Sequence, residues 1–113
     1  MFEKKMRLDA LYEFYGKMLT DKQSEIMNLF CNLDYSLGEM SEILGVSRQA
    51  VHDTIKRTEK SLENYESQLA LYERFRNKQS KFEHLYELVL EFEKTDNHAL
   101  IETIKNVIQT EIE

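Results

Sequence analysis

Proline is absent from this chain of 113 residues, and only three glycines occur, Gly16, Gly38 and Gly45. Proline removes a backbone donor and glycine loosens the chain, so these residues commonly mark helix ends and the turns between strands. The β-branched runs that form strands between such turns are also missing. The sequence therefore predicts an all-α fold, a helical module followed by a C-terminal helical extension.

The stretch from Ser36 to Arg57 has the pattern of two helices joined by a tight turn. Ser36 and Glu39 are spaced as a capping box, in which each side chain bonds the backbone of the other residue. Gly45 stands where the chain must leave the first helix, a position that favours a positive φ. Ser47 can cap the second helix. Together these signals predict a helix-turn-helix.

Apolar residues at helical spacing predict the elements around this motif. An amphipathic helix should run over about 4–17, and a capping box of Thr20 with Gln23 should open a second helix that ends near 32–35. Within the motif, four apolar side chains are expected to face inward: Met40, Ile43, Leu44 and Val46.

Two signals divide the C-terminal part of the chain. Ser80 and Glu83 have the spacing of a further capping box, which predicts a helix break near 77–80. Asp96 or Asn97 is expected to cap the last helix. We predict an N-terminal helix with the helix-turn-helix module over residues 1–65 and an acidic helical region for dimerisation or interaction over residues 66–113.

From Val51 to Tyr72 the apolar positions step alternately by four and three residues. This heptad spacing buries one stripe of a helix against a partner helix. The stripe either mediates homodimerisation, which would present two recognition helices to a symmetric operator, or buries a C-terminal hairpin against the same chain. We expect the homodimer, because the chain offers more apolar helix surface than a small module needs.

Charge and composition limit the class of protein. The formal net charge of −6 argues against a general polyanion-binding protein. Residues 47–60 differ, because four basic side chains there stand against two acidic ones. No run approaches the roughly 20 apolar residues that cross a bilayer, and no secretion signal opens the chain. The single cysteine, Cys31, suits a reducing compartment, so we expect a cytoplasmic protein without membrane insertion.

The segment from Leu19 to Glu66 resembles region 4 of bacterial sigma factors, in which a Leu-Thr pair precedes the supporting helix and a Val-Ser-Arg triplet opens the recognition helix. The elements with which sigma factors recognise the promoter −10 region and clamp the core polymerase have no counterpart here, so the chain is not expected to be a complete sigma factor. The whole sequence resembles the small YlxM-like proteins of Gram-positive bacteria more closely, in its tyrosine- and leucine-rich first helix, its VSRQAV turn, its KRTEKSLENYE continuation and its acidic tail. The resemblance implies a helix-turn-helix regulatory protein with a place in the signal recognition particle pathway.

If double-stranded DNA is the ligand, the second helix of the motif should lie in the major groove. Arg48 and Gln49 are the candidates for base edges, because arginine pairs bidentately with guanine and glutamine with adenine. Ser47 can donate to a phosphate at the helix start, and His52 can reach a base or a phosphate. Three further candidates would neutralise phosphates: Lys56, Arg57 and Lys60.

Other interpretations stay open. These side chains would otherwise be ordinary solvated residues, and Asp53 on the same helix face disfavours phosphate. The chain would then be an adaptor that meets a protein or ribonucleoprotein of the targeting pathway through its helical surface, with the acidic tail against a basic partner. Structured RNA is a weaker candidate, because no stacking face is apparent.

Catalysis is not predicted. Cys31 lies in a helical pattern without a nearby histidine, which favours a buried structural thiol. His52, His84 and His98 are scattered and lack the spacing of metal ligands. No glycine-rich loop is present to hold a nucleotide phosphate. We expect no cofactor and no metal.

Overall fold

A computed structural model describes residues 2–113, and over that range the chain is helical without a strand. This confirms the all-α fold. Between the helices, a 3-10 turn spans Gly16–Met18 and a π-helical turn spans Asn28–Asn32. The α-helices of the described residues are α1 Phe2–Tyr15, α2 Asp21–Met27, α3 Leu37–Leu44, α4 Arg48–Leu69, α5 Leu71–Thr95 and α6 Ala99–Ile112.

Two capping boxes fix the starts of α2 and α3, as predicted. The hydroxyl of Thr20 accepts from the Gln23 amide at 3.2 Å, and the Gln23 side chain accepts from the Thr20 amide at 3.1 Å. Ser36 and Glu39 make the same pair of bonds at 3.1 and 2.9 Å. Such caps satisfy backbone donors that a helix leaves open, and each contributes about 1 kcal/mol.

The chain forms two compact units, of which the first ends at Tyr72 and the second spans Glu73–Glu113. In the first unit, α1, α2 and α3 pack around α4. The domain boundary that we predicted from the sequence, between residues 65 and 66, lies inside α4. The buried apolar core of the first unit consists of Leu8, Leu11, Tyr15, Ile26, Met27, Met40, Val51, Ile55 and Leu62.

The heptad stripe of α4 belongs to this core. Val51, Thr58 and Leu62 have no exposed surface, and Ile55 is 6% exposed. These positions are filled by helices of the same chain, so they are not available to a second subunit. The buried part of the stripe meets the N-terminal helices of the first unit. Homodimerisation itself stays a prediction and needs another surface.

The helix α4 ends at Ala70, which has φ +54°. The left-handed conformation costs a non-glycine residue roughly 1–2 kcal/mol. Two buried side chains support this turn. The hydroxyl of Tyr15 donates to Oε1 of Glu66 at 2.5 Å and accepts from the Leu71 amide at 3.0 Å. The same Glu66 oxygen accepts from the Tyr72 amide at 3.0 Å, so side chains satisfy the first backbone donors of α5.

The predicted helix break near 77–80 is wrong. The helix α5 is continuous through that segment, and Ser80 lies within it. The break falls at Ala70 instead, because the contact of Tyr15 with Glu66 stabilises a turn there. A capping sequence alone does not end a helix whose backbone bonds are all satisfied.

In the second unit, α5 and α6 form a hairpin. Lys81 makes an ion pair with Glu111, and the rings of Phe92 and His98 meet at 5.4 Å, so the two helices run antiparallel. The residue before α6 is His98, whose side chain makes no capping bond, and the Asn97 side chain accepts from the Ala99 amide at 3.1 Å. None of the described helices is long and apolar enough to cross a membrane.

Candidate nucleic-acid interface

The turn between α3 and α4 is held by short-range hydrogen bonds. Gly45 has φ +67° and ψ 31°, and its amide donates to the Ser41 carbonyl at 3.0 Å. The hydroxyl of Ser41 donates to the Val46 carbonyl at 2.5 Å. The Ser47 hydroxyl accepts from the Ala50 amide at 3.0 Å and so caps α4. The predictions that Gly45 ends α3 and that Ser47 caps α4 are confirmed.

Two apolar side chains near this turn are not buried, in contrast to the prediction. Ile43 is 57% exposed and Val46 is 39% exposed. Met40 is fully buried, and Leu44 packs against the core. Because α3 is short and packs on α4, a narrow stripe through Met40 and Leu44 suffices, and Ile43 lies beside it.

The helix α4 has a buried face and an exposed face. Its buried face anchors it in the core and thereby fixes which side chains point outward. Arg48, His52, Lys56 and Lys60 are four residues apart and form one outer ridge of the helix. All of the predicted site residues are exposed: Ser47, Arg48, Gln49, His52, Lys56, Arg57 and Lys60.

The guanidinium of Arg48 lies against the first turn of α3. A β-carbon on Gly38 would stand 3.1 Å from Nη2 of Arg48 and 3.3 Å from its Cζ. The missing side chain of Gly38 thus makes room for the arginine. Sequence reasoning missed this role of Gly38. The available signal was a glycine inside a predicted helix, where it is less stable than alanine by roughly 0.5–1 kcal/mol.

Asp53 orients two of the predicted contact residues. Its Oδ1 accepts from Nε2 of Gln49 at 2.8 Å and lies 3.6 Å from Nδ1 of His52. Gln49 would have to exchange this bond for one to an adenine. The exchange costs little, because the bond is exposed and water competes for both partners.

Further along α4, Lys56, Arg57 and Lys60 share a surface with two carboxylates, Glu59 and Glu63. The charge of Glu63 is neutralised by an arginine of α1. Arg7 of α1 binds Glu63 with two hydrogen bonds of 2.6 and 2.9 Å. This bidentate contact raises the pKa of Arg7 and compensates a negative charge one turn beyond Lys60. Arg57 donates to the Thr54 hydroxyl at 3.3 Å. No local sequence pattern indicates the contact between Arg7 and Glu63, which are 56 residues apart.

Cys31 has the environment of a structural thiol. Burial, followed by a hydrogen bond with Asp9, raises the pKa of this thiol to about 12. At neutral pH it is therefore protonated and a poor nucleophile. Among the described residues, no three His, Cys, Asp or Glu side chains come together in a way that could hold a metal ion.

A short supporting helix, a glycine turn, and a second helix with one anchored face and one exposed face define a helix-turn-helix protein. Residues 2–107 match the UPF0122 family, described as "Putative helix-turn-helix protein, YlxM / p13 like". The chain belongs to this family, which confirms the resemblance found in the sequence.

Relatives of nearly equal length support the assignment. The chain is 43% identical over 111 residues to a UPF0122 protein of Geobacillus sp. (strain WCH70), covering 98% of this chain and 100% of that protein. It is 39% identical over 109 residues to one of Listeria innocua, covering 96% and 94%. A UPF0122 protein of Oceanobacillus iheyensis is 46% identical over 101 residues, covering 88% and 90%.

Proposed function

We propose that this protein is a DNA-binding helix-turn-helix regulator of the cytoplasm that acts as a homodimer. The observation that supports the proposal is the exposed outer face of α4, which carries the predicted contact residues from Ser47 to Lys60. The inner face of the same helix is locked in the core, so these side chains are held on a rigid support. An α-helix with such a face fits the major groove of DNA.

The residues of this face divide into two roles. Arg48 and Gln49 stand in the first turn of α4, where a recognition helix meets base edges, and they specify the sequence. Ser47 contacts a phosphate at the helix start, and His52 contacts a base or a phosphate. The phosphate contacts along the helix come from Lys56, Arg57 and Lys60.

Selection from a random duplex library at low salt tests this function. We expect the full-length protein to enrich a defined motif. The double variant Arg48→Ala/Gln49→Ala should lose the sequence preference, because the base contacts are gone. Lys56→Ala should weaken binding to all duplexes alike and reduce the slope of log K against log salt by about one unit.

A matched control separates phosphate contact from general loss of charge. Lys22 is an exposed lysine on α2, so Lys22→Ala removes the same charge from another surface of the first unit. We expect its affinity and salt slope to equal those of the unsubstituted protein. Failure to enrich any motif, or an equal effect of Lys22→Ala and Lys56→Ala, would contradict the assigned DNA interface.

A second candidate function follows from the charge of the C-terminal region. Residues 82–113 carry eight acidic and two basic side chains. This charge favours a basic protein or ribonucleoprotein surface, which would make the chain an adaptor of the signal recognition particle pathway. Binding to the purified targeting GTPase, with and without its RNA, tests this alternative. Binding that Arg48→Ala leaves unchanged would support the adaptor, whereas no binding would reject it.

A further inference from the structure

Each helix of the C-terminal hairpin carries a second apolar stripe beside the one that joins the two helices. On α5, the joining stripe runs through the partly or fully buried Leu85, Leu88 and Phe92, and the Phe92 ring meets His98 just before α6. Phe82, Tyr86 and Val89 are spaced by four and three residues, and the stripe they form lies about a quarter turn from the joining stripe. They are 64%, 65% and 42% exposed. This spacing is that of a helix seam without a partner.

The helix α6 repeats the arrangement. Leu100, Ile104 and Val107 form its partly buried joining stripe, whereas Ile101, Ile108 and Ile112 are 39%, 44% and 73% exposed. The exposed stripe again lies about a quarter turn from the joining stripe and in the same rotational sense along the chain. In an antiparallel pair of helices, this places both exposed stripes on the same side of the hairpin. We call this surface the hairpin face; it consists of Phe82, Tyr86, Val89, Ile101, Ile108 and Ile112.

We propose that the hairpin face binds the hairpin face of a second copy of this chain, and that the two hairpins form an antiparallel four-helix bundle. The inference gives a surface to the homodimer of the proposed function and does not depend on DNA binding. Two-hairpin bundles of this kind bury apolar stripes that a single hairpin leaves in water. The core stripe of α4 cannot serve this purpose, since it is filled by its own chain.

The size of the hairpin face agrees with a dimer interface. The exposed fractions of its six side chains correspond to on the order of 600 Å² of apolar surface per chain. A standard specific interface buries about 800 Å² per partner, and flanking polar atoms supply the remainder. Lys105 stands on the same stripe of α6, between Ile101 and Ile108, and its apolar stem can lie along the hairpin face while its ammonium stays at the rim.

The second unit has a basic segment and an acidic segment, so two copies of it can be complementary in charge. Residues 73–81 contain four basic side chains and one acidic one, whereas residues 82–113 contain two basic and eight acidic ones. Antiparallel packing of two α5 helices about Tyr86 puts the basic end of each helix beside the acidic end of the other. In this packing, Lys78 of one copy lies next to Glu93 of the other. A partner of uniform charge would match only one end.

Analytical ultracentrifugation of the full chain tests the inference without DNA. We expect a monomer–dimer equilibrium that Tyr86→Glu shifts to monomer, with at least a tenfold rise in Kd, on the order expected for a hot-spot residue. Lys78→Glu and Glu93→Lys should each weaken the dimer by a few-fold, because each creates two like-charge contacts. The double variant Lys78→Glu/Glu93→Lys should dimerise like the unsubstituted chain, because opposite charges then face each other again.

The matched control is Glu87→Lys, which makes the same charge change on the side of α5 away from the hairpin face. Its Kd should change less than that of Glu93→Lys. A monomer at all concentrations, or a dimer that Tyr86→Glu leaves intact, would overturn the hairpin interface. Failure of the double variant to recover would overturn the antiparallel arrangement. A dimer that selects no DNA motif would contradict the DNA-binding function alone, and a monomer that selects one would contradict the dimer alone.

Discussion

Tyr15 and Glu66 meet in the interior of the first unit, where a carboxylate costs several kcal/mol unless its oxygens are hydrogen bonded. The Glu66 oxygen accepts from the Tyr15 hydroxyl and from the Tyr72 amide. Burial is the main cause of a raised pKa of Tyr15, and the bond to Glu66 adds to it. The phenol therefore stays a donor at alkaline pH, where an exposed tyrosine would ionise.

We expect Tyr15→Phe to destabilise the protein by about 1–3 kcal/mol, because it keeps the ring but leaves the Glu66 carboxylate and the Leu71 amide without the hydroxyl. Urea unfolding measures this loss. Tyr65→Phe is the matched control, since its hydroxyl makes only a 3.5 Å contact with the Met18 carbonyl. We expect its loss to stay below about 0.5 kcal/mol. Equal losses in both variants would contradict a supporting role for Tyr15.

Local and long-range causes explain why some residue roles were predictable from the sequence and others were not. Ser36, Gly45 and Ser47 act through neighbours within five residues, so spacing alone revealed them. From the sequence, Tyr15 is one apolar position of an amphipathic helix, and Glu66 is one of many carboxylates on helix faces. Their contact joins distant segments, and no local pattern encodes it.

At the level of elements, the helix-turn-helix depends on a left-handed residue between α3 and α4. A β-carbon on Gly45 would meet no atom within 4 Å, so the cost of a side chain there is conformational and not steric. We expect Gly45→Ala to destabilise the protein by about 1–2 kcal/mol in thermal or urea unfolding. Gly45→Asn should lose less, because asparagine tolerates this conformation.

Gly38→Ala provides the opposite case within the same motif. Gly38 lies inside α3, where alanine is favoured by roughly 0.5–1 kcal/mol, and its β-carbon would meet the flexible end of Arg48. We expect a small gain in stability together with displacement of the Arg48 guanidinium. Destabilisation by Gly38→Ala as large as that by Gly45→Ala would contradict the distinction between the two glycines.

The contrast between local and long-range causes also applies to whole elements and to the candidate site. Helical periodicity predicted that α4 exposes Arg48, Gln49 and Lys56, because the alternative would bury charges. It also predicted a break at Ser80 that does not exist. The sequence signals of a helix start are compatible with a helix interior, so they cannot say which of two starts the tertiary contacts will stabilise. The turn at Ala70 is chosen by such contacts.

At the scale of the whole molecule, buried apolar surface is distributed unevenly. Of the described residues, the first unit buries nine apolar side chains in one cluster, whereas Leu88 is the buried apolar residue of Glu73–Glu113. The free energy of local opening follows such contacts, so the second unit should open more readily than the first when the chain is alone. A partner on the hairpin face would remove much of that difference.

Hydrogen exchange at two protein concentrations measures this difference directly. In dilute protein, amides of α6 should exchange at least about tenfold faster than those of residues 51–62 in α4, because α6 has little buried support. Raising the concentration should slow exchange in α6 and in residues 82–94 but leave α4 unchanged, since ligand binding stabilises only the segments it covers. Tyr86→Glu should abolish the effect of concentration. Equal protection of α4 and α6 in dilute protein would mean that the hairpin is stable alone, and its apolar face would then need another explanation.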